Sequence, residues 1–307
     1  MALLCPLILV CSCLALLWGC EPQRTPASPA QKVDTQFQTY RIGLVPEINL
    51  FAQKKRYQPL LDYLSRHLGV TLQGVVLPNY GRIIDDFTQL NLDGAFFGSL
   101  TGALAINSLQ FEPLARPQYT NGESSYYGMV FTKRSNQIRT AQDMYKKRMV
   151  FVHTATTAGY LLPLSYFKEI GIKDYRNWFG ESYFSGTHED AIYDVLNGLA
   201  DVGAAKSTVF YRLADSDKRL IEELEILSTS PHVPENALAV LKDIPDVLKQ
   251  GLMEKLLTMH LNAEGREILA GLKIDRFVNT TAADYQTVFD YAKSIGFDLS
   301  NYQFQSN

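Results

Sequence analysis

Four short segments concentrate hydroxyl, imidazole and glycine residues where a strand pattern hands over to a helix pattern. The densest is HTATTAGY over 153–160, in which Thr156 and Thr157 each offer an O–H beside the first helical N–H groups and Gly159 permits close backbone approach. A second, SGTHEDA over 185–191, sets Thr187 and His188 just ahead of Glu189 and Asp190. A third, FGSLTG, places Ser99 and Thr101 after an apolar run, and a fourth, PNYGR, presents Tyr80. Neutral donors at helix N-termini, where the helix dipole and unpaired N–H groups point outward, suit an anion. The competing reading is N-capping, which accounts for the threonines and for both acids of the second turn but has no need of His188. Lys206, in GAAKSTVF, is a candidate counter-charge for an anion or else a solvated surface lysine. Glu47 is an acid in a predicted cleft turn, for which a solvated role is the simplest reading.

The elements around these turns read as alternating strand and helix. An apolar strand over 41–45 empties into Pro46-Glu47. Tyr57, Leu60, Leu61, Leu64 and Leu68 then recur at three and four residues, one helical face, with Gly69 at the C-cap position. Strands over 70–77 and 94–97 bracket a helix over 81–90. The alternation restarts with strands over 149–152, 183–185 and 201–205 and helices over 161–170 and 189–199. The expected fold is therefore α/β in two lobes, each a mainly parallel sheet flanked by helices. Extended segments over 126–132 and 236–241 are the crossings, so that 39–128 plus 234–307 form lobe 1 and 129–233 form lobe 2. Strand C-termini and helix N-termini then share one edge, which places the four turns in an inter-lobe cleft.

The first nineteen residues contain no Lys, Arg, Asp or Glu and end in Leu-Trp-Gly before Cys20. This apolar stretch is short for a membrane span and reads as a signal peptide over 1–19. A Pro-rich polar tether over 20–38 follows. The run ending at Cys20 resembles a bacterial lipobox, which makes Cys20 the lipid attachment point; a plain anchor and an ordinary secretory cleavage are the alternatives. Cys5, Cys11 and Cys13 leave with the signal, so the mature chain has neither an intramolecular disulfide nor a Cys metal site. The 29 basic and 32 acidic residues nearly balance, which disfavours nucleic acid as a partner. No G-x-S-x-G, HExxH or phosphate-loop Gly-Lys-Ser/Thr occurs, so no catalytic residue, cofactor or metal site is assigned.

The ordered motifs RYQPLLDYL, ATTAGYLLP, FSGTHEDAIYDVLNGLADVGAAKSTVF, ENALAV and NAEGREIL resemble the phosphate, phosphite and phosphonate-binding proteins of bacterial ABC importers, over roughly 41–285. The resemblance implies the type II periplasmic-binding fold and capture of a small phosphorus oxyanion by lobe closure. It implies ligand contacts from Tyr80, Ser99, Thr101, Thr156, Thr157, the backbone at Ala158 and Gly159, Thr187 and His188, with Lys206 as a further candidate. Ala158 stands where the family carries a hydroxyl, and Ser99 to Thr101 near a position often held by Tyr. The implied partners are an ABC permease and, through the lipid, a membrane; the expected form is an exported, envelope-anchored monomer. A lipoprotein that senses ligand for a receptor kinase is the alternative function, and an enzyme on the same fold a more remote one.

Overall fold

Asn49 opens the first helix because its side chain accepts the N–H groups of Phe51 and Ala52 at 3.0 and 3.4 Å, which starts α1 (Leu50–Leu68) seven residues before the apolar stripe begins. Gly69 closes it at φ 64°, a left-handed cap that returns its N–H to the Ser65 carbonyl. Tyr57, Leu60, Leu61 and Leu64 are buried against the sheet, and each leucine stabilises the packing by about 1.5–3 kcal/mol. Leu68 is only partly buried. This computed structural model describes residues 38–80 and 87–299. The signal, the tether and Cys20 lie outside the described residues, as does most of the helix expected over 81–90. The described residues form one compact unit.

Two sheets organise that unit. The first has six strands in the order β13 (Arg276–Asn279), β4 (Phe111–Gln118), β12 (Ala237–Leu241), β3 (Gly94–Phe97), β1 (Thr39–Leu44), β2 (Thr71–Val76). The second has five, in the order β10 (Leu224–Thr229), β6 (Gly128–Lys133), β9 (Val202–Lys206), β7 (Arg148–Phe151), β8 (Glu181–Phe184). These are the two lobes of a type II periplasmic-binding fold. Each sheet is mixed rather than mainly parallel. The strands joined by helical crossovers are parallel, β1 with β2 and β3, and β7 with β8 and β9. The strands that carry the chain between lobes, β6 and β12, run antiparallel to their neighbours because they enter from the opposite end. A two-stranded ribbon, β5 (Ser125–Tyr126) with β11 (Val233–Pro234), pairs the two crossings at the hinge.

The parallel strands point their C-terminal ends at one another across the gap. From lobe 1, β1 delivers Glu47, and β3 delivers Gly98 to α2 (Ser99–Leu109). From lobe 2, β7 delivers the 153–160 turn to α3 (Leu162–Glu169), β8 leads to α4 (His188–Leu196), and β9 ends on Lys206 ahead of α5 (Ser207–Ala214). Among the described residues no helix is long and apolar enough to cross a membrane.

Candidate functional site

Between the lobes lies a narrow cavity, lined on one side by Tyr80, Gly98, Leu100 and Thr101 and on the other by Ala155, Thr156, Thr157 and His188, with Glu47, Tyr126, Lys206 and Asn236 across its base. The two densest turns of the sequence thus meet in one enclosed space. The backbone after Thr156 takes a wide π-turn, Thr157–Leu161, before α3 begins. The first N–H groups of such a turn have no carbonyl within it to bond. Gly159 is required there, since a Cβ on it would meet the Val152 side chain at 2.4 Å.

The threonine hydroxyls build this turn before they touch any ligand. Thr156 donates to the His153 carbonyl at 2.7 Å, and Thr157 accepts the Leu100 N–H of the other lobe at 2.8 Å. Tyr80 is buried, and its hydroxyl has no hydrogen-bond partner among the described residues. Burial raises the Tyr80 pKa well above the ordinary tyrosine value, with nearby Glu47 pushing the same way, so the phenol keeps its proton as a donor. His188 accepts the Lys206 backbone N–H at Nδ1 over 3.2 Å, which fixes the neutral tautomer with its proton on Nε2. Burial pushes the His188 pKa down to about 3, against the opposing pull of Glu47, so the ring is a neutral donor at physiological pH.

Four sequence candidates do not bring a side chain to the cavity. Ser99 is fully buried, donating to the Pro234 carbonyl at 2.5 Å and bonding the Tyr126 hydroxyl at 2.9 Å, so it ties α2 to the hinge. Thr187 is the N-cap of α4, its hydroxyl accepting the Asp190 N–H at 3.0 Å and donating to the Asp190 carboxylate at 2.7 Å. Ala158 and Gly159 are buried within the π-turn and contribute backbone alone. Thr101 does line the cavity, with its hydroxyl turned to the Gly98 carbonyl at 3.1 Å.

Lys206 and Glu47 are buried, contrary to the surface alternative for each. The Lys206 ammonium reaches Glu47 at 2.7 Å, Asn236 Oδ1 at 2.9 Å and the Glu235 carboxylate, and sits 4.4 Å from the centre of the Tyr126 ring. An ammonium has three hydrogens, and three acceptors take them all. Lys206 therefore has no N–H left for a ligand. Burial alone would raise the Glu47 pKa, but Lys206, Arg212 and Arg56 outweigh it and hold the carboxyl down at about 2. The Lys206 pKa rises: burial works against the charge, and Glu235 and Glu47 overcome it. Glu235, Asn236 and Tyr126 were missed as site residues, although Glu235-Asn236 opens the ENALAV crossing and Tyr126 the other one. Among the described residues no cluster of three or more His, Cys, Asp or Glu is placed to hold a metal ion.

Comparison with known proteins agrees with this geometry. The family described as ABC transporter, phosphonate, periplasmic substrate-binding protein matches residues 42–285. The phosphonates-binding periplasmic protein of Escherichia coli is 21% identical over 255 residues, covering 81% of this chain and 74% of that one. A probable ABC transporter phosphite binding protein of Prochlorococcus marinus is also 21% identical, covering 83% of this chain and 89% of that one. The crystal structure of a binding-protein component of an ABC phosphonate transporter from Pseudomonas aeruginosa superposes with a TM-score of 0.78 at 20% identity, over 84% of this chain and 87% of that one. With the family's motifs, its fold and its inter-lobe cleft all present, the chain belongs to the periplasmic phosphonate substrate-binding proteins of ABC transporters.

Proposed function

We propose that the cleft captures a small phosphorus oxyanion that carries no amine, such as phosphite, phosphate or methylphosphonate, and delivers it to an ABC permease. The observation that carries this reading is the state of Lys206. Its ammonium fills the acidic and aromatic cage of Glu47, Glu235, Asn236 and Tyr126. A ligand amine finds no free carboxylate there, and displacing Lys206 would leave a buried cation unpaired. At the opposite pole the donors are neutral: the π-turn N–H groups, the Tyr80 hydroxyl and His188 Nε2–H. In this reading an incoming oxyanion takes the Thr156 hydroxyl hydrogen bond from the His153 carbonyl and accepts another from the Thr157 hydroxyl.

Calorimetric titration with phosphate, phosphite, methylphosphonate and 2-aminoethylphosphonate, with sulfate as control, tests the assignment. Binding of the three amine-free anions at least tenfold more tightly than the aminoalkyl ligand is expected. Tighter binding of 2-aminoethylphosphonate sinks the specificity claim, and binding of none of the four sinks the oxyanion reading itself. The proposal extends to the N-terminus, where a lipid on Cys20 holds the exported protein at the membrane. Cys20→Ala is expected to release it into the soluble fraction, and a variant that still sediments with membranes counts against lipidation.

A further inference from the structure

Behind the wall formed by Glu47, Glu235 and Asn236 lies a second, narrow space, which also takes in Arg56, Tyr119 and Arg212. It shares Arg56, Tyr119 and Arg212 with a wider, open crevice along α5, a route to it from solvent. The charges around it do not balance, with Arg56 and Arg212 partly buried beside the buried Lys206. Lys206, Arg56 and Arg212 face only Glu47 and Glu235. Both carboxylates engage Lys206, and Glu47 also meets Arg56 at 3.8 Å. Arg56 further donates to the Leu272 carbonyl at 3.0 Å. Arg212 has no ion pair, and its buried Nη2 has no hydrogen-bond partner among the described residues.

A guanidinium cannot relieve such a position by losing its proton. Burial and the facing Arg56 lower the Arg212 pKa, yet from a value so high that the charge persists. Its planar N–H fork matches an acceptor with two oxygens. We infer that Arg212, with Arg56 opposite, holds a second small oxyanion, a carboxylate or an inorganic tetrahedral anion, in a chamber separate from the Tyr80–His188 cleft. Closure brings the two arginines together from different lobes, so this anion and lobe closure reinforce each other.

The test is a sulfate titration of the full mature protein, followed by calorimetry at constant ionic strength with the cleft saturated by methylphosphonate. One further site is expected. Arg212→Gln should weaken it at least tenfold and change methylphosphonate affinity less than threefold, while Arg212→Lys, which keeps the charge and loses the fork, should fall between. Absence of a sulfate site, or equal sulfate affinity in wild type and Arg212→Gln, overturns the inference. Should Arg212→Gln not fold, by circular dichroism, Arg212→Lys and Arg56→Gln carry the comparison, and unchanged sulfate affinity in both overturns it. The inference does not rest on the phosphorus reading: if methylphosphonate fails to bind, the same titration is read without it, in a His188→Ala background.

Discussion

The two poles of the cleft handle polarity in opposite ways. At the π-turn pole the groups are neutral donors, and the Tyr80 hydroxyl has no hydrogen-bond partner among the described residues. At the Lys206 pole the groups are ionic and saturated, with every ammonium hydrogen engaged. Burial of an unmade neutral donor costs a kilocalorie or a few, whereas burial of an unpaired ion costs considerably more. The neutral pole can therefore wait for a ligand, and the ionic pole cannot. In the proposed reading, binding falls to the first and the shape of the closed cleft to the second.

Substitutions at each pole break this contrast in different observables. The largest effect is expected from Thr157→Ala combined with His188→Ala, which removes two donors to a charged ligand and weakens oxyanion binding by about 3–6 kcal/mol at about 1.5–3 kcal/mol each; unchanged calorimetric affinity would remove both residues from the grip. Lys206→Met strands Glu47 and Glu235 and should lower unfolding free energy by about 3–5 kcal/mol, measured by urea denaturation. A loss under one kilocalorie would show that the cluster is not closed to water. Gly159→Ala forces a Cβ against Val152 and is expected to cost about 1–3 kcal/mol, seen as a lower Tm together with weaker binding.

The smallest effect sharpens the neutral character of His188. Its folded pKa of about 3 lies below the ordinary 6.5, so the unfolded chain binds more protons between those values. The stability this group contributes is whole above pH 6.5 and is lost as pH falls toward 3. The slope is at most about 1.4 kcal/mol per pH unit for one proton. His153, pushed down to about 4 by burial, acts in the same direction over the upper part of that window. His188→Gln should flatten the acid limb of a Tm-against-pH curve, and an unaltered limb would mean that the ring is already charged in the fold.

Much of this arrangement was legible in the sequence because it is local. The 57–64 stripe predicts the buried face of α1, and the strand-turn-helix order predicts that the turns at 80, 101, 156–157 and 188 share one edge. What escaped was set by distance or by backbone. Lys206 meets Glu47 across 159 residues and Glu235 across 29, and nothing in GAAKSTVF shows that two carboxylates will arrive. Ser99 looked like a ligand group, but the Pro234 carbonyl, brought to it by the hinge, accepts its hydroxyl's hydrogen bond. Asn49 starts α1 outside the apolar stripe, where periodicity carries no signal. The antiparallel entry of β6 and β12 follows from the crossings, which the βα alternation does not encode.

The bonds between the lobes bear on how cargo leaves. His188 N–H meets the Glu47 carbonyl, Leu100 N–H meets Thr157, and Lys206 meets Glu47. Removing Lys206 by mutation leaves its partners stranded in the dry interior. Opening does something different, because ammonium and carboxylate then part into water together and each regains a hydration shell that offsets most of the lost attraction. A contact severe to delete is thus mild to undo, and the molecule can shut firmly around its cargo and still let go on the timescale of one transport cycle.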